Sequence, residues 1–122
     1  PEDLWYAADT MRRTRRYQQA LGYLDRIIAR HPRSSRASSA LFTRGKILLR
    51  NLQRPDDAAQ AFVRLEQLSG MASLKEDALA REVEAWFKAG KPRKAKERAL
   101  VYLQRYPQGR RMASVKRYGG LP

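Results

Sequence analysis

The sequence contains no cysteine, a single histidine and no long apolar run, and each of these absences excludes a class of protein. Without cysteine the chain has no disulfide framework, no thiolate metal site and no cysteine nucleophile. No apolar stretch approaches the roughly 20 residues that a membrane-spanning helix needs. A lone His31 supports neither a catalytic triad nor a metal site, and we interpret it as structural. With 122 residues, 43% hydrophobic and 31% charged, the chain is long enough for one compact domain or a short repeat array.

Signals for β-strands and for nucleotide-binding loops are equally scarce. β-branched residues are few, and no Asn-Gly or Asp-Gly dipeptide predicts a hairpin turn. The dipeptides Gly45-Lys46 and Gly90-Lys91 lack the upstream glycine and the following serine or threonine of a phosphate-binding loop. These absences favour an all-α protein without nucleotide chemistry.

Four carboxylates lie close together in the sequence: Glu76, Asp77, Glu82 and Glu84. Asp77 and Arg81, like Glu84 and Lys88, stand four residues apart, which is the spacing of salt bridges on a helix surface. We therefore interpret these acids as a solvated helix face and not as a catalytic carboxylate pair. The sequence predicts no catalytic residue, no cofactor, no metal site and no small-molecule substrate.

The net charge of +14 is unevenly distributed. Residues 10–54 carry twelve bases and one acid, and residues 88–122 carry eleven bases and one acid. Between them, residues 55–87 hold seven acids and three bases. Two basic blocks around an acidic middle are compatible with a solvated surface, an acidic protein partner, nucleic acid or an anionic membrane.

Apolar residues recur at helical spacing in seven segments separated by short breaks. The predicted helices begin near Asp3, Tyr17, Ser34 or Ser35, Asp56, Ser73, Pro92 and Arg110. The fourth predicted helix stops at Ser69-Gly70. The seventh, about residues 110–118, offers Met112 and Val115 to cover the end of the array, and its arginines and Lys116 are predicted to face water.

The predicted helices form pairs, and the pairs repeat. The second helix of each pair begins at Tyr17, Pro55 and Pro92, at intervals of 38 and 37 residues. The first repeat presents the residues Leu4, Ala8, Met11, Ala20, Leu24, Ile27 and Pro32. The second presents Leu41, Gly45, Leu48, Ala58, Phe62 and Leu65, and the third presents Leu79, Trp86, Ala95, Ala99, Tyr102 and Pro107. In this order of residues the sequence resembles a tetratricopeptide-repeat protein, whose period is about 34 residues.

The resemblance implies an all-α solenoid of three degenerate tetratricopeptide-like helix hairpins and a C-terminal capping helix. The expected repeats cover about residues 2–34, 35–70 and 71–108 of a single domain, residues 1–122, which we expect to be a piece of a longer protein. The joints at residues 31–41 and 106–115 resemble those of two groups of bacterial proteins. These are envelope proteins, of the outer-membrane assembly lipoprotein and Tol–Pal-associated types, and FecR-type regulatory proteins. This narrower likeness favours the periplasm or cell envelope over the cytoplasm.

In such arrays the first helices of the hairpins line a concave groove, which implies a non-catalytic protein-interaction scaffold. The predicted groove residues are Trp5, Asp9, Arg12, Arg13, Phe42, Lys46, Arg50, Glu84, Phe87 and Lys88. The three aromatic residues either pack between neighbouring helices or anchor a peptide partner, which the flanking cations would favour if it were acidic. The alternative function is binding of nucleic acid or an anionic membrane through the basic blocks 12–16 and 88–98.

Overall fold

The computed structural model of the protein describes residues 2–68 and 71–122, and those residues form seven α-helices and no strand. The helices are α1 (Glu2–Arg13), α2 (Tyr17–Arg30), α3 (Ser35–Lys46), α4 (Pro55–Glu66), α5 (Ala72–Lys88), α6 (Pro92–Arg105) and α7 (Met112–Gly119). A π-helical segment, Ile47–Asn51, continues α3. The all-α prediction is confirmed.

The helices pack as hairpins in chain order. The pairs α1–α2, α3–α4 and α5–α6 are followed by α7, which lies against both α5 and α6. Each second helix buries at least one large side chain completely, among them Leu24, Phe62 and Tyr102. Because α2 also packs on α3, and α4 on α5, the apolar faces of the hairpins join into one continuous core. The predicted helical-repeat solenoid of three hairpins and a C-terminal helix is confirmed.

The helix starts follow local chemistry. Ser34 caps α3, where its side-chain oxygen accepts a hydrogen bond of 3.3 Å from the backbone N–H of Ala37. Pro55 and Pro92 occupy the first turns of α4 and α6, where proline has no intrahelical hydrogen bond to lose. Asp3 is not a cap as predicted, because it lies inside α1. The predicted helix end at Ser69-Gly70 lies outside the described residues.

The second hairpin closes tightly because of Gly45. A Cβ atom at this position would lie 2.5 Å from the Phe62 ring, so only glycine lets α3 approach α4 this closely. Beyond Gly45 the helix widens, and the N–H of Leu52 donates a hydrogen bond of 3.0 Å to the carbonyl of Ile47 five residues earlier. The widened turn carries Arg50 toward α5.

Candidate functional site

The predicted groove residues of α1 form a separate group near the start of the chain. The carboxylate of Asp9 forms ion pairs with Arg12 at 2.6 Å and with Arg13 at 3.2 Å. The Arg12 hydrogen bond lowers the pKa of Asp9, although burial acts in the opposite direction. Trp5 is partly buried and packs against the core. The three charged residues of this group therefore pair with one another, and Trp5 packs against the core.

The predicted groove residues of α3, its π-helical segment and α5 come together. Arg50 contacts Glu84 at 3.1 Å, and Lys88 contacts the same carboxylate at 2.7 Å. The ammonium of Lys46 lies 5.0 Å from the centre of the Phe42 ring. Phe42 in turn packs edge-on against Phe62, with 6.0 Å between ring centres. The structure therefore places cations from two hairpins along one face. We call it the first-helix face, and it comprises Phe42, Lys46, Arg50, Glu84 and Lys88.

The three predicted aromatic anchors pack on different neighbours. Phe42 contacts α4 through Phe62, and Trp5 contacts the core. Phe87 is 49% exposed and lies 5.5 Å from the ring of Tyr118 in α7. Each anchor residue thus has a packing role, and the charged side chains supply the polar character of the face.

The acids of α5 are not a solvated face, so that prediction is wrong. Glu82 is only 1% exposed and Glu84 only 5%. Asp77 does not pair with Arg81 but contacts Arg110 at 3.1 Å and Arg111 at 3.2 Å. The reason is the central position of α5, which packs against α4, α6 and α7 and has little free surface.

Arg81 is a site residue that the sequence did not identify. Its guanidinium lies 5.4 Å from the centre of the Phe42 ring, and its Nε atom is buried without a hydrogen-bond partner. Of the side chains that the structure describes, no acid forms an ion pair with Arg81. Burial lowers the pKa of this guanidinium, the nearby charges of Arg111 and Arg50 lower it further, and Glu84 and Asp77 act in the opposite direction.

Like Arg81, Lys46 is partly buried and lies near other cations, and its pKa is lowered. Burial is the largest cause of its lowered pKa, followed by repulsion from Arg81, Arg12 and Arg50. The charges that act most strongly on Lys46 are therefore all positive. An anion placed there would relieve the repulsion.

A cavity of about 180 Å³ opens beside Arg81, between the π-helical segment, α5 and α7. We call it the basic cleft, and it is lined by Arg50, Ala80, Arg81, Glu84, Arg111, Ser114, Arg117 and Tyr118. The contribution of α7 to this cleft was missed. Arg111 and Lys116 are half-buried and do not simply face water, because α7 lies against α5 and α6.

A buried hydrogen-bond network fixes the start of α7 on α5. The hydroxyl of Tyr102 donates to Glu76 at 2.8 Å and accepts from the backbone N–H of Arg111 at 2.9 Å. Glu76 also accepts from the backbone N–H of Arg110 at 3.0 Å. Burial raises the pKa of Tyr102 to about 12, so its hydroxyl remains a donor at neutral pH. This network holds Arg111 at the edge of the cleft.

Helical spacing alone contained a signal for Arg81. Asp77, Arg81, Glu84 and Lys88 stand at the i, i+4, i+7 and i+11 positions of one stripe on α5. Two of these four residues were predicted to line the groove, and the same stripe places Arg81 between Asp77 and Glu84. The cations of α7 had no comparable signal, because their position depends on how the last helix folds back.

Many members of the two basic blocks have partners within the chain. Lys91 lies 3.5 Å from Asp56, and both Lys91 and Lys94 lie over the Trp86 ring. Arg98 pairs with Glu66 at 2.7 Å and with Glu82 at 2.9 Å. These contacts leave less charge free for nucleic acid or lipid than the composition indicates.

Residues 2–68 and 71–122 contain neither a candidate membrane-spanning helix nor a candidate metal-binding cluster. In this part of the chain, no helix is both long and apolar enough to span a bilayer. No group of three or more histidine, cysteine, aspartate or glutamate side chains in these residues could hold a metal ion.

The comparisons with known proteins agree with the helical-repeat architecture. A family model of the tetratricopeptide repeat matches residues 4–34, which include nearly all of the α1–α2 hairpin. No curated protein and no solved structure matches the chain. The family match supports a tetratricopeptide-repeat domain, a kind of module that generally mediates protein–protein interaction and is typically non-catalytic.

Proposed function

We propose that this chain is a non-catalytic interaction module that binds an acidic segment of a partner protein along its first-helix face. The basic cleft, together with Lys46 and Phe42, would form the centre of that surface. The observation that carries the proposal is the half-buried Arg81, which has an unpartnered Nε and lies among other cations. A partner carboxylate or other acidic group in the cleft would supply the missing negative charge.

The distribution of charge supports a protein partner over nucleic acid. Binding to a nucleic-acid backbone is strongest where cations form a continuous stripe. Here Glu84 lines the basic cleft and Asp77 pairs with Arg111 at its edge, and Arg98 and Lys91 of the second basic block are paired within the chain. A compact cationic site between acids suits a short acidic segment.

The wider setting of the module is a second part of the proposal. We take residues 2–34, 35–70 and 71–108 as three repeats of one domain. The resemblance of the joints at residues 31–41 and 106–115 supports an envelope or regulatory protein of a bacterium as its parent. Fractionation of the source cells with an antibody against this domain tests the compartment, and recovery from the cytosol alone would contradict an envelope location.

The binding proposal can be tested by fluorescence anisotropy. The probes are labelled oligoglutamate, labelled oligolysine and a short DNA duplex, titrated with the intact chain between about 50 and 300 mM salt. We expect oligoglutamate to bind and oligolysine not to bind. A triple variant, Lys46→Ser, Arg50→Ser and Arg81→Ser, should weaken oligoglutamate binding by about tenfold or more, because charge-assisted hydrogen bonds are lost.

A matched control separates a site from general attraction. The variant Arg30→Ser, Arg33→Ser and Arg36→Ser removes the same charge from three exposed positions away from the cleft. It should change oligoglutamate affinity little. Equal losses in the two triple variants would show non-specific attraction and contradict the proposal. Tighter binding of DNA, with a steep fall of log K against log salt concentration, would favour the nucleic-acid alternative.

A further inference from the structure

The charged side chains around the basic cleft indicate which chemical group of a ligand would bind there. Arg50 and Arg111, which line the cleft, each pair with an acid of α5. Lys46, Arg81 and Arg117 pair with no acid among the side chains that the structure describes. Of these three, Arg81 and Arg117 line the cleft and Lys46 does not, so the cleft of about 180 Å³ has two cations that an external anion can neutralise.

We infer that the basic cleft binds a phosphomonoester, namely a phosphorylated side chain on the partner segment. The inference rests on the proposed function, because it names the acidic group that the partner would present. Arg81 would contact the phosphate from the floor of the cleft, and Arg117 from α7 would contact it from the rim.

The number and kind of donors favour phosphate over a single carboxylate. A carboxylate carries one charge and is matched by one arginine fork, whereas a phosphomonoester carries about −1.5 to −2 at pH 7 and offers three acceptor oxygens. Guanidinium groups from two different helices converge here, with the hydroxyl-bearing Ser114 also in the lining. A water molecule takes about 30 Å³ in the liquid, so the cleft has room for a phosphate group.

Arg81 is held in place before any ligand arrives. Its guanidinium lies over Phe42, and Phe42 is fixed by the Phe62 ring. An arginine whose position is set by packing loses little side-chain entropy on binding. The Nε of Arg81 is buried, so the terminal guanidinium nitrogens are the donors available to an incoming acceptor.

The same geometry disfavours the phosphodiesters of nucleic acids. A diester carries one charge per phosphate, and its chain continues on both sides of each phosphate. Glu84 lines the cleft and Asp77 pairs with Arg111 at its edge, so the further phosphates of such a chain would meet negative charge there. A monoester at the end of a side chain brings only one phosphate group, to a cleft that Arg81 and Arg117 line.

The test follows the arginine Nε–Hε signals of the intact chain by NMR. The probes are ethyl phosphate, diethyl phosphate and glutarate, added at constant ionic strength. We expect ethyl phosphate to give saturable shifts centred on Arg81, with diethyl phosphate and glutarate at least about tenfold weaker. The variant Arg81→Lys keeps the positive charge but loses the paired N–H donors of the guanidinium. It should weaken ethyl phosphate binding by about tenfold.

Two other variants keep the test decisive if Arg81→Lys perturbs the fold. Arg117→Lys changes an exposed residue at the rim and should also weaken ethyl phosphate binding, whereas Arg30→Lys, away from the cleft, should not. Glutarate or diethyl phosphate binding as tightly as ethyl phosphate would overturn the inference, as would the absence of saturable shifts. Oligoglutamate binding that survives such a result would leave the proposed function standing, and loss of both would contradict both.

Discussion

Glu66 and Glu82 share one cation, because the guanidinium of Arg98 contacts the first carboxyl group at 2.7 Å and the second at 2.9 Å. Burial is the main cause that raises the pKa of Glu66 to about 9, and the neighbouring Glu82 raises it further. Trp86 donates a second hydrogen bond to Glu82 at 2.7 Å. Glu66 therefore keeps its proton at neutral pH, and Glu82 accepts hydrogen bonds from Arg98 and Trp86.

This pair predicts that stability falls as the pH rises above the ordinary range of glutamate. A folded-state pKa above the unfolded value means that the folded protein holds the proton more tightly, so the stabilisation is complete at low pH and is lost toward about pH 9. Glu66→Gln keeps a neutral side chain and should flatten this dependence, with a gain of about 1 kcal/mol or more at about pH 8. Urea melts at several pH values provide the measurement, and the exposed Glu97→Gln is the control. A slope unchanged by Glu66→Gln would contradict the assignment.

Gly45 and Phe62 predict a strong coupling inside the second hairpin. Gly45→Ala places a methyl group where the Phe62 ring lies 2.5 Å away, so we expect a loss of about 1–3 kcal/mol from overpacking. Phe62→Leu removes the ring and should itself cost stability, but Gly45→Ala should then be much less harmful. A double-mutant cycle in urea melts measures this coupling. Strictly additive losses would show that α3 and α4 move apart freely.

Tyr102→Phe tests the network that holds the start of α7. The variant removes the donor to Glu76 and the acceptor for the N–H of Arg111, while it keeps the buried ring. We expect a loss of about 1–3 kcal/mol in the free energy of unfolding, because buried polar partners are left unsatisfied. Tyr106→Phe, on a half-buried ring 5.2 Å from Tyr102, is the matched control and should cost less. Equal losses would place the stabilisation outside this network.

The sequence was sufficient to predict the architecture, because the spacing of apolar residues and the residues that end helices are local properties. Apolar spacing predicts the seven helices, and the recurring starts at Tyr17, Pro55 and Pro92 predict the pairing. The errors at helix ends are small. For example, α7 begins at Met112, two residues after the predicted start at Arg110.

The charged site was less predictable, because ion pairs depend on which helices meet. The i,i+4 rule anticipated the contact of Glu84 with Lys88 but assigned Asp77 to Arg81. Asp77 instead pairs with arginines more than 30 residues later in the chain. A rule based on local spacing does not predict the pairing of Asp77 with Arg110 and Arg111. Because of this pairing, Arg81 has no acidic partner among the described side chains.

The last prediction concerns α7, which we expect to stabilise the end of the solenoid as well as to line the basic cleft. Val115 is completely buried, and a Cβ at Gly119 would meet Ala99 of α6, so the helix sits closely on the last hairpin. Deleting residues 110–122 should therefore lower the free energy of unfolding by at least about 2 kcal/mol, since burying one valine contributes about 1.5–3 kcal/mol. Deleting only Leu121 and Pro122 is the control and should cost less. Thermal and urea melts, read with ethyl phosphate titrations of the same variants, distinguish the two roles. An unchanged melting temperature after the longer deletion, together with loss of binding, would mean that α7 is a binding tail and not a cap.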